Sequence, residues 1–333
     1  MPDIGILLIL IVIFALAFDY INGFHDTANA IATVVSTRVL TPMQAILMAA
    51  SLNFAGALFA TRVASTIAKG ILLPSLATET VVLAAVIGGI VWNLITWAGG
   101  IPSSSSHALI GGLCGAGVAH AGLHAVQWKG ITDKVLIPLV ASPVLGFVVG
   151  LVLMTAITVL FHNANARRAN DGFRMMQRLS AATMAFAHGQ NDAQKSMGVI
   201  TLALVTHGVL KKPDVPLWVI LACAVTMAAG TAAGGWRIIR TMGHKIMRME
   251  PVNGFAAETS GAAVILLASR FGMPVSTTHC LAGSIFGVGA SKGRHTVRWK
   301  VAQTMVTAWV LTIPASAAVG ALAYGLLSLA HLG

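Results

Sequence analysis

The sequence predicts an all-α polytopic membrane protein built from two inverted-topology repeats with discontinuous or re-entrant helices. Three observations carry this expectation. First, 56% of the 333 residues are hydrophobic and only 9% are charged, against about 25% charged in an ordinary soluble domain; mean hydropathy is +0.83. A soluble domain of this length needs a charged surface that the chain cannot supply, and the same numbers exclude disorder, collagen and coiled coil. Second, several of the apolar runs are too short, or too interrupted by Gly, Pro and Ser, to cross a bilayer as plain helices. Third, four blocks of sequence recur in the same order at a nearly constant offset.

The apolar runs fall at 4–18, 42–61, 80–98, 107–122, 135–161, 181–206, 216–236, 255–269, 275–290 and 301–330. The run ending at Phe18 has no basic n-region and no A-x-A site, so it reads as a first transmembrane helix rather than a signal peptide. The longest polar stretch, Asn163 to Arg178, carries Arg167, Arg168, Arg174 and Arg178 against Asp171 alone. By the positive-inside rule it is expected to be a cytoplasmic loop. Trp236 to Arg248, with Arg237, Arg240, Lys245 and Arg248, is assigned inside by the same argument. The start of the chain holds Asp3 and no base, and the tail from Leu326 is uncharged, so both termini are expected outside. The organisation predicted is a first transmembrane half at 1–162, a basic cytoplasmic linker at 163–180 and a second half at 181–333. A net charge of +11 would suggest nucleic acid in a soluble protein. Here most of the bases cluster in short loops between apolar runs, as the positive-inside rule expects, although Lys129 and Lys134 fall in a loop expected outside, and no nucleic-acid partner is expected. Cys114, Cys223 and Cys280 lie in apolar runs without metal-binding spacing and read as small packing residues.

The repeats align block by block. Gly23-Phe24-His25-Asp26-Thr27-Ala28-Asn29 corresponds to Gly189-Gln190-Asn191-Asp192-Ala193-Gln194-Lys195, an offset of 166. Pro42 and Gly56 fall on Pro216 and Gly230 at 174. Pro102-Ser103-Ser104-Ser105-Ser106-His107 falls on Pro274-Val275-Ser276-Thr277-Thr278-His279 at 172, and the same offset places Gly111, Gly115 and Gly117 on Gly283, Gly287 and Gly289. Trp128-Lys129 and Pro143 fall on Trp299-Lys300 and Pro314 at 171. If both termini are outside and the centre inside, each unit crosses an odd number of times, and two such units must be inverted.

Two constellations could carry chemistry. Asp26 and Asp192 sit in apolar sequence, where a carboxylate costs about 2.5–3.5 kcal/mol on insertion scales and normally faces a cavity or a partner. Two symmetric copies would meet near the bilayer midplane, with Asn29 beside one and Asn191 and Lys195 beside the other; Asp26, Asn29, Asn191 and Asp192 are the expected ion-coupling groups and Lys195 an expected substrate contact. The second constellation is the Pro-Ser/Thr-His motif. Ser104, Ser105 and Ser106, and Ser276, Thr277 and Thr278, are helix-start signals. Their hydroxyls, the free amides behind them and the helix dipole make an anion site, suited to a tetrahedral oxyanion. His107 and His279 could titrate or hold the bend by hydrogen bonds; the second is expected. Glu258 could be an ion ligand, a proton carrier or a helix-start residue, and capping is expected as the commoner role. No G-x-S-x-G elbow, HExxH or Walker loop is present, so no enzyme, catalytic residue, metal centre or cofactor is expected.

These paired motifs resemble those of the inorganic phosphate transporter (PiT) family, the Pho4-type phosphate permeases. That family carries Gly-x-Asn-Asp-x-x-Asn-Ala in each half, followed by a Pro-Ser-Ser-Ser/Thr-His segment. Here His25 replaces the first Asn of one copy and Lys195 the second Asn of the other. The resemblance spans nearly the whole chain and implies a secondary transporter that imports inorganic phosphate with a cation. It also implies external termini, a plasma-membrane location and a homodimer. The Asn191-Asp192-Ala193-Gln194-Lys195 variant resembles the low-affinity bacterial branch. There Lys195 would take the place of a bound cation, which favours a proton over sodium as the coupling ion, and metal–phosphate as a further substrate form. Two alternatives stand beside this reading. One is a sulfate permease, disfavoured because sulfate near pH 7 has no proton to donate to Asp26 or Asp192. The other is an anion channel, which would not concentrate its substrate.

Overall fold

The computed structural model describes residues 5–330. Among these the chain is helical almost throughout, and it follows one plan twice. A long helix, α1 (Ile6–Ser36), leads to a broken pair, α2 (Pro42–Ala57) and α3 (Arg62–Gly70), bent by 66°. A hairpin of α4 (Glu79–Ala98) and α5 (Ser105–Ala121) follows, then a short α6 (Trp128–Ile131) that continues through a π turn into α7 (Ile137–Leu160). The second half repeats this order. It has α8 (Ala166–Thr206), then α9 (Leu217–Ala233) and α10 (Trp236–Arg240) in a pair bent by 60°, then the hairpin α11 (Pro251–Arg270) and α12 (Thr277–Ser291), and finally α13 (Trp299–Leu329). Five helical stretches are long and apolar enough to cross a membrane, seven if each bent pair is one span. The fold is the expected one: all-α, polytopic, two inverted repeats with re-entrant hairpins.

Local chemistry explains the helix starts. Thr41 and Gln44 close a capping box around Pro42 at the head of α2, and Glu250 with Asn253 does the same around Pro251 at α11. The Ser104 hydroxyl accepts from the His107 amide at 3.2 Å, and the Ser276 hydroxyl accepts from the His279 amide at 3.2 Å. Both re-entrant helices therefore begin at the Ser/Thr motif, which breaks each hairpin inside the protein rather than at its surface.

The polar stretch 163–178 is not a loop, contrary to the expectation from its charge. Asn165 caps α8 by accepting from the Arg167 and Arg168 amides, and the four arginines lie on the first turns of one unbroken helix of 41 residues. At about 1.5 Å per residue it is roughly 60 Å long, twice a hydrocarbon core, so its basic turns can lie outside the lipid without ending the helix. Glu258 is likewise not a helix-start residue. It sits in the middle of α11 and is fully buried.

The two halves pack by exchange. α1 lies against α9 and α8 against α2, while α5 lies along α13 and α12 along α7. Each re-entrant helix is thus clasped by the closing helix of the other repeat. Glycine permits the approach: a Cβ at Gly115 would collide with the Ala317 carbonyl oxygen, and one at Gly287 with the Phe147 carbonyl oxygen.

Candidate substrate and ion site

The exchange brings both Asp motifs and both hairpin tips to one buried place. Asp26 on α1 and Asp192 on α8 are 3% and 0% exposed. Both lie mid-helix because α1 and α8 run straight through the motif. Asp26, His188 and Asp192 each offer a ligand atom within 4.8 Å of the others, so carboxylates from opposite repeats share one locus. Two negative charges this close in a low-dielectric site require compensation. Asp192 Oδ1 accepts from Lys195 Nζ at 2.6 Å, and its Oδ2 lies 3.5 Å from His188 Nε2. Asp26 Oδ1 lies 2.6 Å from His25 Nδ1.

The hairpin tips close on this pair. Asn29 Nδ2 donates to the Thr277 hydroxyl at 3.1 Å and to the Thr278 hydroxyl at 2.9 Å. Thr277 in turn donates to Asp192 Oδ2 at 3.4 Å. One threonine of the second hairpin thereby touches the motifs of both repeats. Ser106 donates to the Val275 carbonyl at 3.3 Å, so the two tips meet directly. His107 and His279 meet across the junction as tilted rings with centroids 5.1 Å apart, and Trp309 stacks on His279 at 4.0 Å. Each half also anchors its Asp neighbour to the end of its own hairpin. His25 Nε2 lies 3.0 Å from the Thr96 hydroxyl, and Asn191 Nδ2 donates to Ser269 at 2.8 Å.

All eleven residues expected to bind substrate or ions are buried. The repeats differ where Asn29 faces Lys195. Asn29 reaches across to the opposite hairpin, whereas Lys195 stays with Asp192, and the Ser105 hydroxyl in the first hairpin has no partner among the described residues. Asn29 Oδ1 and Asn191 Oδ1 are also buried without a partner. Such atoms are uncommon in packed interiors, and these three belong to the paired motifs.

Comparison with known proteins gives the family. The model of the phosphate transporter family matches residues 22–170 and again 161–320. The chain belongs to that family. It is 50% identical over 327 residues to a protein of Bacillus subtilis (strain 168) named a probable low-affinity inorganic phosphate transporter, covering 97% of this chain and 98% of that one. A protein of the same name from Rhizobium meliloti (strain 1021) is 47% identical over 320 residues, 96% of each chain. A solved structure described as the sodium-dependent phosphate transporter superposes with a TM-score of 0.91 at 26% identity, covering 98% of this chain and all of that one. These relatives are transporters, in keeping with the absence of catalytic motifs.

Two polar groups, His188 and Asp19, escaped the reading of the sequence, and a third, Glu258, was expected chiefly as a cap. His188 lies one helical turn before Asp192, a spacing that could have flagged it. Glu258 accepts from Thr33 at 2.5 Å, Ser180 at 2.5 Å and Gln177 at 3.1 Å, partners on α1 and α8 that are distant from it in sequence. Asp19 on α1 is wholly buried; it falls just past the first apolar run, and no repeat partner announces it, since the offset of 166 gives Ala185.

Proposed function

We propose that this chain imports inorganic phosphate across the plasma membrane by proton symport, with phosphate held between the two hairpin tips and the paired aspartates. The observation that carries the reading is the Asn29–Thr277–Asp192 chain of contacts, in which a substrate-type hydroxyl of the second hairpin bridges an Asn of the first repeat and a coupling-type carboxylate of the second in one buried site. Phosphate would take hydrogen bonds from the Ser104–Ser106 and Ser276–Thr278 segments and their free amides. Its own hydroxyl would donate to Asp26 or Asp192, a bond that sulfate cannot make. Lys195, already within 2.6 Å of Asp192, stands where a second Asn would help hold a cation and supports a cycle without sodium. Asp26, His188 and Asp192 also offer an oxygen–nitrogen set that suits a divalent cation travelling as metal–phosphate. Rocking of one repeat against the other about this site would alternate access. The reading includes external termini, supported by the loop charges, and a homodimer, supported by the family resemblance.

The test is uptake of labelled phosphate into proteoliposomes under separately imposed proton and sodium gradients, with sulfate as competitor. Concentrative uptake that follows the proton gradient, resists sulfate and disappears in Asp26→Asn and Asp192→Asn at matched protein level is expected. Uptake that follows sodium alone would overturn the proton reading, and near-normal uptake in both variants would overturn the site. Labelling of cysteines introduced at the two ends in intact cells checks the topology, and cross-linking in the membrane checks the dimer.

A further inference from the structure

Asp19 lies outside the phosphate site, and the family motif does not include it. Its carboxylate accepts from the Ser196 hydroxyl of α8 at 2.8 Å through Oδ1 and from the Thr226 hydroxyl of α9 at 2.9 Å through Oδ2. No cationic side chain forms an ion pair with it among the described residues. An isolated buried carboxylate is strongly disfavoured as a bare charge and is relieved by taking up a proton or a cation. Ser196 directly follows Lys195, so this carboxylate is bonded to the same turn of α8 that neutralises Asp192. A second observation points the same way. Asn22 stands three residues after Asp19 and four before Asp26, on the same face of α1. It is fully buried, and neither its amide nitrogen nor its oxygen has a partner among the described residues. Asp19, Asn22 and Asp26 thus form a polar file over two helical turns, about 10.5 Å, leading from the N-terminal part of α1 to the phosphate site. The repeat carries only part of this file: His188 stands at the position of Asn22 and Asp192 at that of Asp26, without an acid ahead of them. Positions equivalent to Asp19, Ser196 and Thr226 are Ala185, Ala30 and Leu52, so structural symmetry does not require the acid.

Resting on the proton-symport reading above, we propose that Asp19 is the residue that takes up and releases the coupled proton. A proton from the outer water adds to one Asp19 oxygen and is lost from that oxygen to the cytoplasmic side after reorientation, leaving the carboxylate again. Both carboxylate oxygens already contact hydroxyls at 2.8 and 2.9 Å. A divalent ion of the Mg2+ or Ca2+ kind takes six or more oxygen ligands, more than this carboxylate and its two hydroxyls supply, whereas a proton needs one carboxylate oxygen. The charged and titratable groups around Asp19 are Asp192 and Lys195 from α8 and Cys223 from α9, with His25 and Asp26 further along α1. α2 carries none; Glu79 of α4 is paired with His207, Arg237 of α10 is held over Trp97, and Glu258 bonds to Thr33, fourteen residues beyond Asp19.

The experiment compares two readouts in proteoliposomes containing the full chain: exchange of labelled for unlabelled phosphate at equal pH, and accumulation driven by an inward proton gradient. Asp19→Asn is expected to keep exchange near the native rate and lose proton-driven accumulation by at least about tenfold, while Asp19→Glu recovers it. Asp19→Asn that still accumulates phosphate on a proton gradient, or that loses exchange together with accumulation, overturns the proposal, the second outcome making Asp19 structural. Native protein driven by sodium and not by protons also overturns it. Native protein that does not exchange phosphate at all would instead refute the phosphate reading on which the proposal rests.

Discussion

Removing Lys195 tests how the central site holds its charge. The Lys195–Asp192 pair is 2.6 Å long, with side chains 1% and 0% exposed. At that burial each ion has given up its hydration, so breaking the pair from one side leaves an uncompensated charge, a loss of about 3–5 kcal/mol. Removing both ions together avoids that charge, and replacing a buried pair by neutral groups of similar shape is commonly neutral or stabilising. Lys195→Met and Asp192→Asn are therefore each expected to lower the thermal unfolding temperature of detergent-purified protein markedly, and the double variant by less than either single one. The measurement is a double-mutant cycle by differential scanning fluorimetry. A double variant whose loss equals the sum of the two single losses would refute the reasoning, because it would mean that the two side chains do not neutralise each other.

Other consequences are equally direct. Thr278→Val and Ser106→Ala should each weaken phosphate binding roughly ten- to a hundred-fold, the worth of a hydrogen bond to a charged ligand at about 1.5–3 kcal/mol; equilibrium binding to purified protein checks this, and unchanged affinity in both would displace the site. Gly115→Ala should abolish folded protein, since its methyl would strike the Ala317 carbonyl, whereas Gly325→Ala, with nothing within 4 Å, should be neutral or stabilising by up to about 1 kcal/mol; fluorescence size-exclusion profiles separate the two. A membrane-permeant maleimide should modify the partly exposed Cys114 before the fully buried Cys223 and Cys280, and mass spectrometry of the labelled peptides reads the order.

What could be read ahead of the structure was whatever the repeat printed twice. Asp26 with Asp192, and Ser104–Ser106 with Ser276–Thr278, stand out because two copies in apolar sequence need a common explanation, and inverted repeats bring such copies to one axis. Features that break the symmetry stayed hidden. Asp19 meets Ser196 and Thr226 across 177 and 207 residues, and Glu258 meets Thr33 across 225, separations that no local pattern encodes. Taken locally, Glu258-Thr259-Ser260 read as a capping sequence because the true cap, Glu250 with Asn253, lies before the apolar run begins. Hydropathy also concealed α8: the turns bearing Arg167 to Arg178 are polar, yet polarity ends a membrane span without ending a helix. In the same way α1 extends from the apolar run into the motif as far as Ser36.

The exchange of helices between halves has a consequence for how the chain is made. When the ribosome has delivered α5, the groove beside Gly111 and Gly115 has no occupant, because α13 is still about 180 residues from synthesis. At roughly 5–20 residues per second that interval is about 10–35 s. Throughout it Ser103–Ser106, the polar tip of a half-built hairpin, must be kept from lipid by something other than its final neighbours. The first half of this protein is an unfinished object until the last helix enters, and nascent chains truncated before Trp299 should be held at the insertion machinery or degraded rather than released into the bilayer.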